Sequence, residues 1–161
     1  MPQIMNTDMF TTLAEARDWL EAVVKENNAG AMCPCCNRFD KVYNYCLPRS
    51  AIVAIADMCQ KVAAQPDIVI RFNEFANTTN RGCSKLKHLD LIYQPEKEQY
   101  TGGKTGGTWA ITQKGIDFVQ GIAAIPTHLI IYHDELVGVS DSVKFIHEFW
   151  PEFNYRELMS A

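Results

Sequence analysis

The sequence predicts an α+β fold, and three observations predict it. Two apolar periodicities of helical type flank a cysteine-dense turn, a polar glycine-rich loop separates two short strand-like runs, and a strongly β-branched run-turn-run follows near the end. At 161 residues, 47% hydrophobic and 21% charged, the chain has the size of one domain and enough apolar side chain for a core. No run approaches the roughly 18 apolar residues of a membrane span. Met1 to Phe10 lacks the basic and apolar regions of a signal peptide, so a cytoplasmic protein without membrane contact is expected.

Taken in order, Thr12 and Glu15 have the spacing of a capping box, and Leu13, Ala16, Leu20, Val23 and Val24 recur at helical spacing to about Glu26. Asn27, Asn28 and Gly30 end that helix. Cys33-Pro34-Cys35-Cys36-Asn37 is too turn-rich for regular structure, and Phe39 to Tyr45 reads as a short extended piece. Ser50 is a plausible N-cap for a helix to about Ala64 whose apolar residues wrap most of its circumference, the pattern of a helix at the centre of a core.

Ile68 to Ile70 is strand-like, and Asn73 caps a brief helix to Ala76 or Asn77. Asn80-Arg81-Gly82 is a turn, and Ser84 then caps a helix with Leu86 and Leu89 inward and Lys85, Lys87 and His88 elsewhere. Tyr93 and Gln94 begin a strand, Pro95 to Gly107 is a loop, and Thr108 to Ile111 is the answering strand. Thr112 opens a helix that Gly121 stops. A second hairpin, Leu129 to Tyr132 and Leu136 to Val139, turns around Asp134-Glu135. Ser142 caps a last main helix carrying Val143, Phe145, Ile146 and Phe149, and Tyr155 to Met159 is a short helical end. Trp109 is expected in the core, and Trp150 with Phe145, Phe149 and Phe153 in an aromatic cluster. The segments divide as 1–49, 50–121 and 122–161 within one compact unit.

Charge bounds the partners. Fifteen Lys and Arg against 19 Asp and Glu leave −4, which disfavours non-specific polyanion binding. Residues 71–114 nevertheless hold seven basic side chains against four acidic ones, so the middle of the chain is +3.

The order of elements from residue 50 onward, with Gly82-Cys83-Ser84-Lys85-Leu86-Lys87-His88-Leu89-Asp90-Leu91-Ile92 and Gly107-Thr108-Trp109-Ala110-Ile111-Thr112-Gln113-Lys114-Gly115, resembles the winged helix-turn-helix family. The first segment is similar to that family's recognition helix and its exit, and the second to its returning wing strand. The resemblance covers about residues 50–121. It implies a winged helix-turn-helix core carrying an N-terminal helix with a cysteine turn and a C-terminal β-hairpin plus helix. It also implies duplex-DNA binding, with Arg81, Ser84, Lys85, Lys87 and His88 reaching the major groove and Lys104 and Thr105 on the wing.

The whole chain is more loosely similar to a group of small bacteriophage proteins of unassigned role. They share a Cys-Pro-x-Cys turn, here Cys33-Pro34-Cys35-Cys36, and a terminal Tyr-x-Glu-Leu-Met, here Tyr155-Arg156-Glu157-Leu158-Met159. A phage source is what this second resemblance implies, not an activity.

Six cysteines without an export signal point to reduced thiols or metal ligands. Cys33 and Cys36 have the spacing of half a structural zinc site, and Cys46 is the favoured third ligand, with no fourth evident. The competing reading is a reduced-thiol turn held by packing.

Gly103-Lys104-Thr105 lacks the upstream glycine of a phosphate loop, since Glu98 occupies that position. His128 and His133 fall on opposite faces of a strand, and no nucleophile–base–orienter set emerges. The sequence is therefore expected to encode not an enzyme but a DNA-binding regulator of transcription, acting as a homodimer. The alternative is a phage-encoded inhibitor that binds a host or anti-phage-defence protein complex.

Overall fold

In the computed structural model, which describes residues 10, 12–27, 29–66, 68, 70, 71, 83–95 and 108–160, helices and short strands mix in an α+β chain. The elements are α1 (Leu13–Glu26), β1 (Ala31–Met32), β2 (Phe39–Asp40), β3 (Tyr43–Cys46), α2 (Arg49–Ala64), β4 (Ile70–Arg71), a 3-10 helix (Cys83–Leu89), β5 (Ile92–Tyr93), β6 (Thr108–Ile111), α3 (Gln113–Val119), β7 (Ile125–Pro126), β8 (His128–Tyr132), β9 (Glu135–Val139), β10 (Val143–Lys144), α4 (Ile146–Phe149) and α5 (Tyr155–Ser160). The chain forms two compact units, one of residues 1–45 and 130–138, the other of 46–129 and 139–161. Among the described residues no helix is long and apolar enough to cross a membrane.

The first unit starts at a capping box. Thr12 Oγ1 accepts from the Glu15 N–H at 3.2 Å and the Glu15 carboxylate accepts from the Thr12 N–H at 3.1 Å, which satisfies two orphan donors of α1. The inward face of α1 supplies Leu20 and Val24 to a small core with Ala31 and Tyr132, against which Trp19, Val23, Cys33 and Val42 pack. Strands β1 and β2 pair antiparallel, Ala31 opposite Asp40 and Met32 opposite Phe39, so the cysteine turn is the tip of a β-hairpin. In the strand order β3-β8-β9, β9 is an edge. The β8–β9 turn falls on His133 and Asp134, whose φ of 49° and 63° match the left-handed pair of a two-residue hairpin loop. That places it one residue before the expected Asp134-Glu135.

The second unit is organised by α2, in which Ala51, Ile52, Ala54, Ile55, Ala56, Met58 and Cys59 are all buried, as expected of a central helix. Its N-cap is Pro48 and not Ser50. The Pro48 backbone is already extended and its carbonyl accepts from the Ala51 N–H at 3.0 Å, which draws Ser50 into the first turn. Strands β4, β6 and β5 form an antiparallel sheet in that order, with Ile70 opposite Trp109 and Ile92 opposite Ile111. Trp109 is buried, as expected. Thr112 caps α3 by accepting from the Gly115 N–H at 3.0 Å. Gly121, at φ +79°, stops the helix: its N–H donates to the Phe118 carbonyl and that of Ile122 to Asp117, which together close the helix end.

Ser142 does not cap the last main helix. Its carbonyl accepts from the Thr127 N–H at 3.0 Å, and Val143 pairs with Pro126 in the β7–β10 ladder. α4 begins instead at Ile146, where the Glu148 carboxylate accepts from the Phe145 N–H at 2.8 Å. The expected aromatic cluster divides accordingly. Phe149 meets Phe118 edge-on at 6.1 Å, Trp150 meets Phe153 at 5.1 Å, and Phe145 is exposed and stacks on His147.

Candidate functional site

The segment expected to read DNA is helical from Cys83 to Leu89, but with 3-10 geometry. At three residues per turn, positions three apart eclipse one another. Leu86 and Leu89 therefore share one strip, and both are buried, while Lys85 and His88 share a second strip and are half-buried. Lys87 lies on the third strip, also half-buried. The Asp90 N–H donates to the Lys87 carbonyl at 3.1 Å and Asp90 takes a left-handed φ of 57°, ending the helix and turning the chain into β5.

The exit is fixed from the end of the neighbouring strand β6. The Thr112 hydroxyl donates to the Asp90 carbonyl, and the Thr112 N–H donates to that of Leu91 at 3.0 Å. A Cβ on Gly115 would lie 2.4 Å from the Leu91 carbonyl oxygen, so only glycine lets the first turn of α3 approach this backbone. Thus Thr112 and Gly115 hold the end of the helix that carries Lys85 and Lys87. Arg81, Lys104 and Thr105, and the side chain of Ser84, lie outside the described residues.

The cysteine hairpin is built by two short backbone bonds. The Cys33 N–H donates to the Arg38 carbonyl at 2.8 Å, and the Asn37 N–H to the Cys33 carbonyl at 2.9 Å. Asn37 sits at φ 57°, a conformation asparagine tolerates better than most residues. The backbone N–H of Cys36, and less strongly that of Cys35, donates to the Cys33 sulfur and holds its thiol below the ordinary range, against the opposing effect of burial. Desolvation, the Cys33 thiolate and a hydrogen bond with the Cys33 side chain push Cys35 up, although its side chain is exposed. Cys46, the expected third ligand, belongs to the second unit, and its thiol faces the Leu47 carbonyl at 3.9 Å. Among the described residues no three His, Cys, Asp or Glu side chains are gathered to hold a metal.

One constellation in the first unit left no sequence signal. Asp40 Oδ2 accepts from the Tyr132 hydroxyl at 2.8 Å and lies 3.0 Å from His133 Nε2. The two rings stack with centroids 4.0 Å apart. His128 does not join them. It lies in the second unit, where its Nδ1 meets the buried Thr127 hydroxyl at 2.9 Å and the Thr127 hydroxyl meets Ser140 Oγ at 3.1 Å.

Comparison with known proteins places no family alongside the chain: no family description, no curated protein and no solved structure matches it.

Proposed function

We propose that the second unit is a winged helix-turn-helix domain that binds duplex DNA without catalysing a reaction, in the manner of a transcription regulator. The observation that carries this reading is the sheet order β4-β6-β5 with the 3-10 helix feeding straight into β5 and α3 following β6. That order supports a basic helix held beside the paired strands β5 and β6, and the expected wing between them, residues 95–107, carries Lys97 and Lys104 in the sequence. A helix of this kind enters a major groove while the loop follows phosphate. The +3 balance of residues 71–114 within a −4 chain favours a shallow salt dependence, which two copies on one duplex would steepen.

The test is a salt titration against a duplex from the gene's own upstream region and a random duplex, with the wild type and a Lys85→Glu/Lys87→Glu variant. The expected result is tighter binding to the upstream duplex, weakening as salt rises, and a loss of about tenfold or more in the variant. Absence of binding to either duplex at low salt discards the reading.

A second reading, inhibition of a host or defence protein complex, draws on a different observation. Leu136 and Val137 are 37% and 44% exposed on the edge strand β9, an arrangement suited to receiving a strand from another protein. Substituting both by Lys would impair such an inhibitor and leave DNA binding intact.

A further inference from the structure

We propose that Phe39, Lys41 and Tyr43, with Arg38 beside them, form a stacking ridge on the first unit that binds single-stranded nucleic acid. The ridge belongs entirely to the first unit, so the inference does not rest on the duplex-DNA reading of the second.

The first observation is the direction in which the side chains face. Asp40 turns inward to the Tyr132 hydroxyl, and Val42 packs on the core of the first unit. Side chains alternate along extended backbone, so Phe39, Lys41 and Tyr43 share the opposite face. Two sets of contacts bear this out. A Cβ on Gly30 would lie 2.6 Å from Phe39 Cζ and 2.8 Å from Lys41 Cβ, so both side chains cover the same glycine. Lys41 Nζ in turn lies 5.2 Å from the centre of the Tyr43 ring. The three side chains therefore make one continuous row.

The second is exposure. Phe39 is 52% and Tyr43 58% exposed, although both belong to strands whose other side chains reach the core. Four positions of extended chain span about 13 Å, so the two rings offer separate platforms with Lys41 between them.

The third is charge. Arg38 and Lys41 bring two positive charges to the row, while the acid between them, Asp40, is engaged by Tyr132 and His133. Among the described residues neither cation takes part in an ion pair. Aromatic faces interleaved with cations match a partner that presents flat π-systems and phosphates in alternation, which a strand with unpaired bases does. A duplex keeps its bases stacked inside and offers this row phosphate alone. An acidic peptide would satisfy the cations and leave the two rings without a stacking partner, so the observations favour the nucleic acid.

The experiment uses the full chain, kept reduced, and follows the fluorescence anisotropy of labelled oligothymidylate and oligouridylate, with a random duplex and an oligoglutamate peptide in parallel. The expected result is binding of the single strands with a shallow salt dependence, a log–log slope of about −1.4 for two phosphate contacts at about −0.7 each. Phe39→Leu and Tyr43→Leu should each weaken it about tenfold, while Phe39→Tyr and Tyr43→Phe, which keep a ring at each position, should retain it. Lys41→Glu should weaken it and flatten the slope. Thermal unfolding of each variant separates loss of the ridge from loss of the fold. Absence of binding to either single strand at low salt overturns the proposal, as does equal affinity in the wild type and the folded leucine variants. Tighter capture of oligoglutamate than of the single strands overturns it in favour of a protein partner. Loss of single-strand binding in Lys85→Glu/Lys87→Glu, with the leucine variants unaffected, moves the site to the second unit. Because duplex binding is read separately, failure of the ridge leaves the reading of the second unit standing.

Discussion

Tyr132 reaches across 92 positions of sequence to place its hydroxyl 2.8 Å from Oδ2 of Asp40, the last residue of β2. The Tyr132 ring is buried in the core of the first unit, and the Asp40 side chain is only 19% exposed. The bond therefore ties the strand that follows the cysteine turn to β8, in surroundings where water competes weakly for either partner.

Tyr132→Phe keeps the ring and removes the bond, so the loss isolates the hydroxyl. A cost of about 1–2 kcal/mol is expected in urea unfolding at neutral pH, a hydrogen bond to a charged group discounted for the partial exposure of Asp40. Burial, followed by the Asp40 hydrogen bond and the negative charge of Asp40, pushes the Tyr132 hydroxyl above its ordinary value. Its folded-state value thus exceeds the unfolded one, so this stabilisation is complete below about pH 10 and is lost as the pH rises above it, where the unfolded chain ionises first. Unfolding curves between about pH 8 and pH 11 should show that alkaline loss in the wild type and a smaller one in Tyr132→Phe. Equal losses in the two proteins would remove Tyr132 from the account.

Two glycines of α3 and its end test packing against backbone conformation. At Gly115 an added methyl would sit 2.4 Å from the Leu91 carbonyl oxygen and 2.7 Å from Ile111 Cγ1. Gly115→Ala should therefore destabilise by about 1–3 kcal/mol even though alanine is the better helix former. At Gly121 nothing lies within 4 Å, but φ is +79°, so Gly121→Ala pays only the left-handed backbone cost of about 1–2 kcal/mol. Thermal unfolding decides: Gly121→Asn should recover part of the second loss, whereas no small side chain should recover the first.

Thiol reactivity should separate the cysteines by environment. Burial pushes Cys59 up within α2, while backbone N–H groups lower Cys33. With iodoacetamide at neutral pH and no metal present, the 33–36 turn should be alkylated at least tenfold faster than Cys59, as read by peptide mass spectrometry. Comparable rates would mean that α2 opens as readily as the hairpin tip.

Several of these features are legible in the sequence because they are local. Thr12 with Glu15, Gly121, and the apolar wrap of α2 each act within one or two turns of chain, and each lies where its residues predict. Ser142 misled because a serine before an apolar run satisfies the rule for a cap, while the carbonyl it contributes is taken by Thr127, fifteen residues earlier. The 3-10 geometry of Cys83–Leu89 was hidden for a related reason. A leucine pair three apart suits either helix, so the spacing does not choose between them. Asp40, Tyr132 and His133 carry no pattern at all, since their meeting depends on the pairing of segments remote in sequence.

The division of the first unit between residues 1–45 and 130–138 has a consequence for the making of the protein. A ribosome adding about 5–20 residues per second needs on the order of 10 s to pass from one segment to the other. Throughout that interval Leu20, Val24 and Ala31 have no Tyr132 to pack against, and Asp40 has no phenol to receive. The nascent segment thus waits with part of its apolar face uncovered until residues 130–138 have been made, so a chain released before residue 132 is one that quality control should recognise as unfinished.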